Sequence, residues 1–224
     1  MSILIILSGK ITQIYDESFF KNYNKIICCD GGYNNLLKLN INIIPDYIIG
    51  DFDSINNINI LNKFPKEKII KKNNQDVSDF QFAIDELIIK NKLYDKYNNL
   101  DVIYFTSLNR IDHLFANLIG IENYAKDLNI KFISKYQEIY AIKERKFILK
   151  NKKNYTISLL PLTECININT NGLKWEIKNG NFKECFTGGI SNIILQDKIS
   201  IEINKGCLLA IVSDLNKWGD NSNI

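Results

Sequence analysis

Two aspartates separated by a single residue, Asp51 and Asp53, stand in Gly50-Asp51-Phe52-Asp53-Ser54, directly after the short apolar run Tyr47–Ile49. Carboxylates this close repel one another. Hard oxygen donors in such a pattern suit a divalent cation, and Mg²⁺ in particular bridges carboxylates to phosphates. If the segment is extended, the two side chains share a face with alpha carbons about 6.5 to 7 Å apart. That spacing flanks one metal, or two metals roughly 3.5–4 Å apart. Three further polar clusters follow apolar runs in the same manner. Asp30-Gly31-Gly32 follows Ile26–Cys29, and Gln75-Asp76-Val77-Ser78-Asp79 follows Lys68–Ile70 after a short polar link. Arg110-Ile111-Asp112-His113 follows Val102–Phe105. In an open parallel sheet ligands sit beyond the carboxyl ends of the strands, so the clusters are expected to converge on one rim. Gly31, Gly32 and Gly50 would allow sharp turns or a close backbone approach to phosphate oxygens.

Each cluster also has a plainer reading. Asp76 and Asp79 suit the N-cap and N3 partner of a following helix. Asp30-Gly31 suits a turn, and Arg110 with Asp112 a structural ion pair. His113, the single histidine, fits a helix start or a core position better than a catalytic base, and it excludes a His-rich metal site. Neither a G-x-x-x-x-G-K-[ST] loop nor a G-x-G-x-x-G fingerprint is present, so a nucleotide must be held without them.

The elements that carry these clusters fall into two rhythms. From Ile3 to about Ser134, continuous β-branched runs (Ile3–Leu7, Ile26–Cys29, Tyr47–Ile49, Lys68–Ile70, Val102–Phe105, Ile130–Ile133) read as strands buried on both faces of a parallel sheet. Phe80, Ala83, Ile84, Leu87 and Ile88 recur at helical spacing and predict an amphipathic helix over Asp79–Lys90. A second helix is expected over His113–Leu128, burying Phe115, Leu118, Ile119 and Ala125. This is the alternation of an α/β domain. After about Lys135 the segments are short strands such as Glu138–Ile142, Ile199–Ile203 and Cys207–Val212, separated by turn candidates including Asn171-Gly172 and Asn179-Gly180. That pattern indicates an antiparallel sandwich or barrel. The fold class is therefore α/β: an N-terminal, mostly parallel sheet flanked by helices, with a second all-β, antiparallel sandwich-like domain. The expected divisions are residues 1–136, 137–218 and a polar tail over 219–224.

Across 224 residues, hydrophobic types make up 46% and charged types 24%, an ordinary globular composition. A formal charge of +3 without a basic, aromatic-interleaved stripe argues against nucleic acid as a partner. The apolar run at the N-terminus is too short for a signal segment, and no stretch approaches a membrane span. The five cysteines, Cys28, Cys29, Cys165, Cys185 and Cys207, lack C-x-x-C spacing and read as reduced, small hydrophobes of a cytoplasmic protein.

These motifs, taken in order, resemble the thiamine pyrophosphokinase family. Asp30-Gly31-Gly32 resembles its D-G-G turn, and Pro45-Asp46-Tyr47-Ile48-Ile49-Gly50-Asp51-Phe52-Asp53-Ser54 its P-D-x-I-x-G-D-F-D-S signature. Gln75-Asp76-Val77-Ser78-Asp79-Phe80 resembles Q-D-x-T-D-F with Ser78 for Thr, and Arg110-Ile111-Asp112-His113 resembles R-x-D-H. Gly172-Leu173-Lys174-Trp175 and Ser191-Asn192 resemble the G-L-K-W and S-N elements of its thiamine-binding domain. The resemblance implies an ATP- and Mg²⁺-binding α/β domain, a β-rich thiamine-binding domain, and a homodimer with active sites between subunits. It implies Asp51, Asp53 and Asp79 as the Mg²⁺ and polyphosphate residues, with Asp30, Asp76 and Asp112 close by. Arg110 would grip phosphates bidentately. Gln75, Trp175, Ser191 and Asn192 would contact thiamine, Trp175 by stacking or by covering the thiazolium cation; read alone, Trp175 is equally a core aromatic. Two positions depart from the pattern. Thr106-Ser107-Leu108-Asn109 replaces the usual glycines before Arg110, and Tyr33 replaces a small residue at the adenine-side wall.

The implied reaction is in-line attack of the thiamine hydroxyethyl oxygen on the β-phosphorus of ATP, with AMP leaving, driven by positioning and charge stabilisation. The alternatives are pyrophosphoryl transfer to another alcohol such as a pterin, a non-catalytic thiamine or nucleotide sensor, and a metal-dependent phosphohydrolase. Trp175 and Ser191-Asn192 favour thiamine over a pterin, and the full acidic rim argues against a sensor.

Overall fold

The structure is a computed structural model and describes residues 2–9, 15–90, 99–105 and 111–214. The chain divides into two compact units, one of Met1–Ile121 with Phe132–Lys135, the other of Glu122–Lys131 with Tyr136–Ile224.

In the first unit, β1 (Ser2–Gly9), β2 (Lys25–Cys29), β3 (Tyr47–Gly50), β4 (Ile69–Lys71) and β5 (Asn99–Phe105) form a parallel array in the order β5-β1-β2-β3-β4. Alternate side chains Leu4, Ile6, Ile26, Cys28 and Ile48 share one core cluster with Phe20 of α1 (Glu17–Phe20) and Tyr33 and Leu36 of α2 (Gly32–Lys38). The intervening Ile5, Ile27, Cys29 and Ile49 are buried as well, and α3 (Asp79–Ala83) packs on β2 and β3. Burial on both faces is why these strands read as unbroken apolar runs rather than as an alternation.

Two helices depart from the pattern expected of them. The segment Asp79–Lys90 is α-helical only to Ala83 and continues as a π-helix over Ile84–Lys90. Its apolar positions Phe80, Ala83, Ile84, Leu87 and Ile88 are nevertheless all buried, so the wider turn keeps the apolar face inward. The second helix, α4, spans Ile111–Gly120 and is followed by a 3-10 turn over Ile121–Asn123. Leu118 and Ala125 are buried as expected, but Phe115 and Ile119 are 65% and 55% exposed in this single chain. With Ile111 they form an i, i+4, i+8 stripe, so α4 is apolar on more than one side and periodicity alone cannot choose which side faces inward.

Strand β6 (Asn129–Ile133) contributes residues to both stretches of chain that make up the units. The second unit is built from antiparallel pairs. One set contains β7 (Gln137–Lys143), β9 (Thr156–Pro161), β12 (Asn192–Ile193) and β14 (Cys207–Ser213), ordered β12-β9-β14-β7. The other contains β8 (Lys146–Lys150), β10 (Cys165–Asn171), β11 (Gly180–Phe182) and β13 (Lys198–Glu202), ordered β11-β10-β13-β8. One apolar cluster draws Ile142, Ile157, Leu159 and Ala210 from the first set and Leu149, Cys165, Ile168 and Ile201 from the second. That is a sandwich core. Among the described residues, no helix is long and apolar enough to cross a membrane.

Candidate active site

Strand register sets the positions of the acidic clusters in the first unit. Cys29 lies opposite Ile49, and Gly50 opposite Lys71. The backbone continues this ladder one step past the strands, with Asp30 N–H donating to the Ile49 carbonyl and Lys72 N–H to the Gly50 carbonyl, both at 2.8 Å. Asp30, Asp51 and Lys72 thus leave the carboxyl ends of three adjacent parallel strands. Gly50 makes this possible: its φ is +148°, and a Cβ there would sit 2.9 Å from Asp30 Cβ. Asp46, at the opposite end of β3, has a structural task. Its carboxylate pairs with Lys25 Nζ at 2.7 Å and accepts from Ile26 N–H at 2.9 Å.

Asp51 and Asp53 do not share the face of an extended segment. Phe52 between them has φ 69°, a left-handed conformation that is costly for a bulky residue, and its ring is buried. The burial of that ring holds the turn, which swings both carboxylates towards Asp30. Oxygens of Asp30, Asp51 and Asp53 all lie within 4.8 Å of one another. Asp30 is 3% exposed, and its Oδ1 is buried without a hydrogen-bond partner. Burial raises the Asp30 carboxyl above its ordinary value, against the opposing hydrogen bonds from Ser54 and the Gly31 backbone. Burial also pushes on Asp51, but the hydrogen bond from Gln75, with help from the Asp53 backbone and Lys72, outweighs it and holds Asp51 below its ordinary value. Three carboxylates grouped this closely, one of them with a buried oxygen lacking a hydrogen-bond partner, fit a divalent cation of the Mg²⁺ kind.

The remaining candidates of this unit are placed differently. Asp79 is not in the trio; its Oδ1 lies 2.7 Å from Lys72 Nζ, a charge contact outside hydrogen-bonding angles. The helix cap belongs to Ser78 rather than Asp76: Ser78 Oγ accepts from Gln81 N–H, and Gln81 Oε1 accepts from Ser78 N–H. Asp76 is exposed and its N–H donates to Asn74 Oδ1. Gln75 donates to Asp51 Oδ2 at 3.3 Å, so its amide is engaged with a carboxylate. Gly31 and Gly32 begin α2, where a Cβ on Gly32 would lie 2.1 Å from the Ile6 carbonyl oxygen, so that glycine answers a packing need. Tyr33 is buried with its ring edge-on to Phe64. Asp112 and His113 are both exposed on the first turn of α4, 3.7 Å apart. Arg110 and Thr106–Asn109 lie outside the described residues.

In the second unit the two distant motifs meet. Lys174 N–H donates to the Ile193 carbonyl, Leu195 N–H to the Gly172 carbonyl, and Leu173 bridges Ile194. Asn192, buried, clamps the next residue along: its Oδ1 accepts from Trp175 N–H at 3.1 Å and its Nδ2 donates to the Trp175 carbonyl at 2.6 Å. Its side chain therefore holds the tryptophan backbone. Trp175 is 56% exposed, with Lys174 Nζ 4.6 Å from its ring centroid, and so is not a core aromatic. Ser191 is exposed at φ 58°, its N–H donating to Ser158 Oγ.

The family model described as thiamin pyrophosphokinase, catalytic domain, matches residues 17–132, more than half of the chain. The chain belongs to the thiamin pyrophosphokinase family. The model of that family's vitamin B1 binding domain matches residues 145–208, which contain both Trp175 and Ser191-Asn192. Among solved structures, the thiamine pyrophosphokinase of Bacillus subtilis is 23% identical with a TM-score of 0.80, over 95% of this chain and 99% of that one. The thiamin pyrophosphokinase of Candida albicans is 23% identical with a TM-score of 0.74, over 95% and 89%. A probable thiamine pyrophosphokinase of Staphylococcus saprophyticus is 27% identical with a TM-score of 0.66, over 96% and 99%. No curated protein matches the chain. Lys72 and the clamping role of Asn192 were not singled out from the sequence. A lysine after a strand carries no signal of its own, and the lone apolar-to-charged step at Ile70-Lys71-Lys72 was the only available hint.

Proposed function

We infer that this chain transfers the pyrophosphoryl group of ATP to the hydroxyl of thiamine, giving thiamine diphosphate and AMP. The observation that carries this reading is the Asp30, Asp51 and Asp53 trio at the carboxyl ends of parallel strands within the catalytic half of a thiamin pyrophosphokinase family member. The hydroxyethyl oxygen attacks the β-phosphorus in line and gives its proton to a carboxylate of the rim; the bond from that phosphorus to the oxygen of the α-phosphate breaks, and AMP leaves with the electron pair. Asp30, Asp51 and Asp53 would hold Mg²⁺, supported by the unpartnered buried oxygen of Asp30. When bound, the ion neutralises polyphosphate charge. Gln75 fixes the orientation of Asp51 through its 3.3 Å hydrogen bond. Arg110, which precedes Ile111 in the sequence, would grip phosphate oxygens bidentately.

The vitamin B1 binding half presents the thiamine. Trp175, half-exposed and held by its backbone, offers a ring face to the pyrimidine or to the thiazolium cation, with Ser191 beside the clamp. Residues 1–136 would serve ATP and Mg²⁺, and 137–218 thiamine. A homodimer of cytoplasmic location completes the reading; the exposed stripe Ile111, Phe115 and Ile119 on α4 supports an association surface.

The test is AMP release from ATP with thiamine and Mg²⁺ supplied together or singly. AMP is expected only with both. Asp51→Asn and Asp53→Asn each lower kcat at least about hundredfold, the scale of losing one charge-stabilising group, with folding retained by circular dichroism. Phosphate release without thiamine would instead mark a phosphohydrolase, transfer to a pterin a different acceptor, and no product at all a sensor.

A further inference from the structure

The second unit holds a part-buried ion pair that lies outside the thiamine-binding motifs. Lys152 Nζ is 2.8 Å from Glu138 Oε2, with 22% and 24% of the two side chains exposed. The same carboxylate oxygen accepts from the Tyr140 hydroxyl at 2.7 Å. Burial pushes the Glu138 carboxyl up, but the hydrogen bonds from Lys152 and Tyr140 outweigh it and hold it below its ordinary value, with Lys131 adding positive charge. A fully exposed pair of this kind would contribute little. Here, removing one partner strands the other out of full contact with water. Lys152 belongs to the turn over residues 151–154 that joins β8 to β9, bounded by two left-handed asparagines, Asn151 at φ 60° and Asn154 at φ 69°. Its ammonium also lies 5.1 Å from the ring centroid of Tyr155, whose hydroxyl bonds to the Asp214 carboxylate just past β14. Side chains from β7 and from the end of β14 thus fix the chain where it enters β9.

That turn supports the stretch from which Trp175 hangs. Asn154 N–H donates to the Ile194 carbonyl at 2.8 Å and Ile194 N–H to the Tyr155 carbonyl at 3.0 Å, extending the β9–β12 ladder one step beyond Ile193 and Thr156. Asn151 N–H donates to the Asp197 carbonyl at 2.8 Å, so the turn grips the chain after β12 at two places. On its other edge the same chain holds residues 172–175, through Lys174 N–H to Ile193, Leu195 N–H to Gly172 and the Asn192 clamp. Strand β12 is only two residues long, too short to fix its own position, so its neighbours must do so. We propose that the Glu138–Lys152 ion pair is a positioning device for thiamine: it fixes the turn before β9 and, through Ile194, the placement of the Trp175 indole. Both are positioning residues, acting through backbone rather than on the substrate. The proposal rests on the reading of Trp175 as a thiamine contact and extends it to residues outside the motifs.

The experiment titrates thiamine calorimetrically into the full-length protein and pairs each Kd with steady-state AMP assays in which thiamine and ATP are varied separately. The proteins are wild type, K152M, K152R, E138Q and the double variant E138Q/K152M, each checked for folding by circular dichroism. K152M and E138Q are each expected to weaken the thiamine Kd and raise the thiamine KM at least about fivefold, with kcat and the KM for ATP within about twofold of wild type. The double variant stays within about twofold of the weaker single one, because both changes remove the same interaction, and K152R returns to within about twofold of wild type. A wild-type thiamine Kd in K152M overturns the proposal. So do single effects that multiply in the double variant, or a KM for ATP that rises as far as that for thiamine, which marks general loosening. Should E138Q fail to fold, K152M against K152R decides alone. Wild-type protein that binds thiamine but forms no AMP defeats the proposed reaction and leaves the Kd comparison to decide the positioning role. Wild-type protein that binds no thiamine overturns both readings.

Discussion

Asp30 illustrates how a site residue can work against the stability of the chain that carries it. Its buried Oδ1 has no hydrogen-bond donor, and burial raises its carboxyl above the ordinary 3.8. The folded protein therefore keeps the Asp30 proton to higher pH than the unfolded chain does. The stability linked to that group is fully present below about pH 3.8 and is lost as pH rises through the folded value. Ionising Asp30 in the metal-free protein therefore works against burial, with only the Ser54 and Gly31 hydrogen bonds opposing it. Asp30→Asn removes the ionisable group and is expected to raise the unfolding free energy of the metal-free protein at pH 7. Urea titrations across pH should show that gain shrinking towards acid, alongside a loss of AMP formation. A midpoint unchanged or lowered at pH 7 would mean that Asp30 finds partners of its own. Such opposition between stability and activity is common where a site is built to receive charge.

At the scale of elements, two distant stretches of the β-rich unit act as one device. The chain over Gly172–Trp175 runs alongside Asn192–Leu195, and Asn192 replaces a missing strand ladder at Trp175 with its own amide. Asn192→Ala removes two hydrogen bonds to the Trp175 backbone, each worth about 1 kcal/mol, and lets the indole wander. The expected kinetic result is a KM for thiamine raised about tenfold or more with kcat changed less than about threefold, since the clamp serves binding rather than the chemical step. Steady-state AMP assays over a thiamine series decide it; a fall in kcat at constant KM would place Asn192 at the reacting atoms instead.

At the scale of the whole molecule, the apolar stripe of α4 bears on assembly. Ile111, Phe115 and Ile119 are 66%, 65% and 55% exposed in the single chain, an arrangement that soluble surfaces tend to cover. If the proposed homodimer forms through this stripe, the wild-type chain sediments as a dimer at micromolar protein and Phe115→Glu as a monomer; a wild-type monomer overturns the dimer reading. A Phe115→Glu chain that still sediments as a dimer would put the interface on another surface. The modest net charge of +3 offers little long-range repulsion against such association.

Much of this was readable from local chemistry. Runs such as Ile26–Cys29 and Tyr47–Ile49 became strands buried on both faces, and Gly50 with Asp30 and Asp51 stood where strand ends place ligands, because both follow from patterns a few residues long. The antiparallel second unit announced itself through its short strands and Asn-Gly turns. What the sequence alone did not determine was who faces whom. Phe52 turned out left-handed rather than extended because its ring had a core to enter. Lys72 took Asp79 because the loop from β4 into α3 folds back against its side chain. Phe115 and Ile119 face outwards because α4 is apolar on several sides and only the packed neighbours choose among them. Periodicity and propensity act along the chain, whereas charge pairing and burial depend on distances through space, which only the tertiary structure supplies.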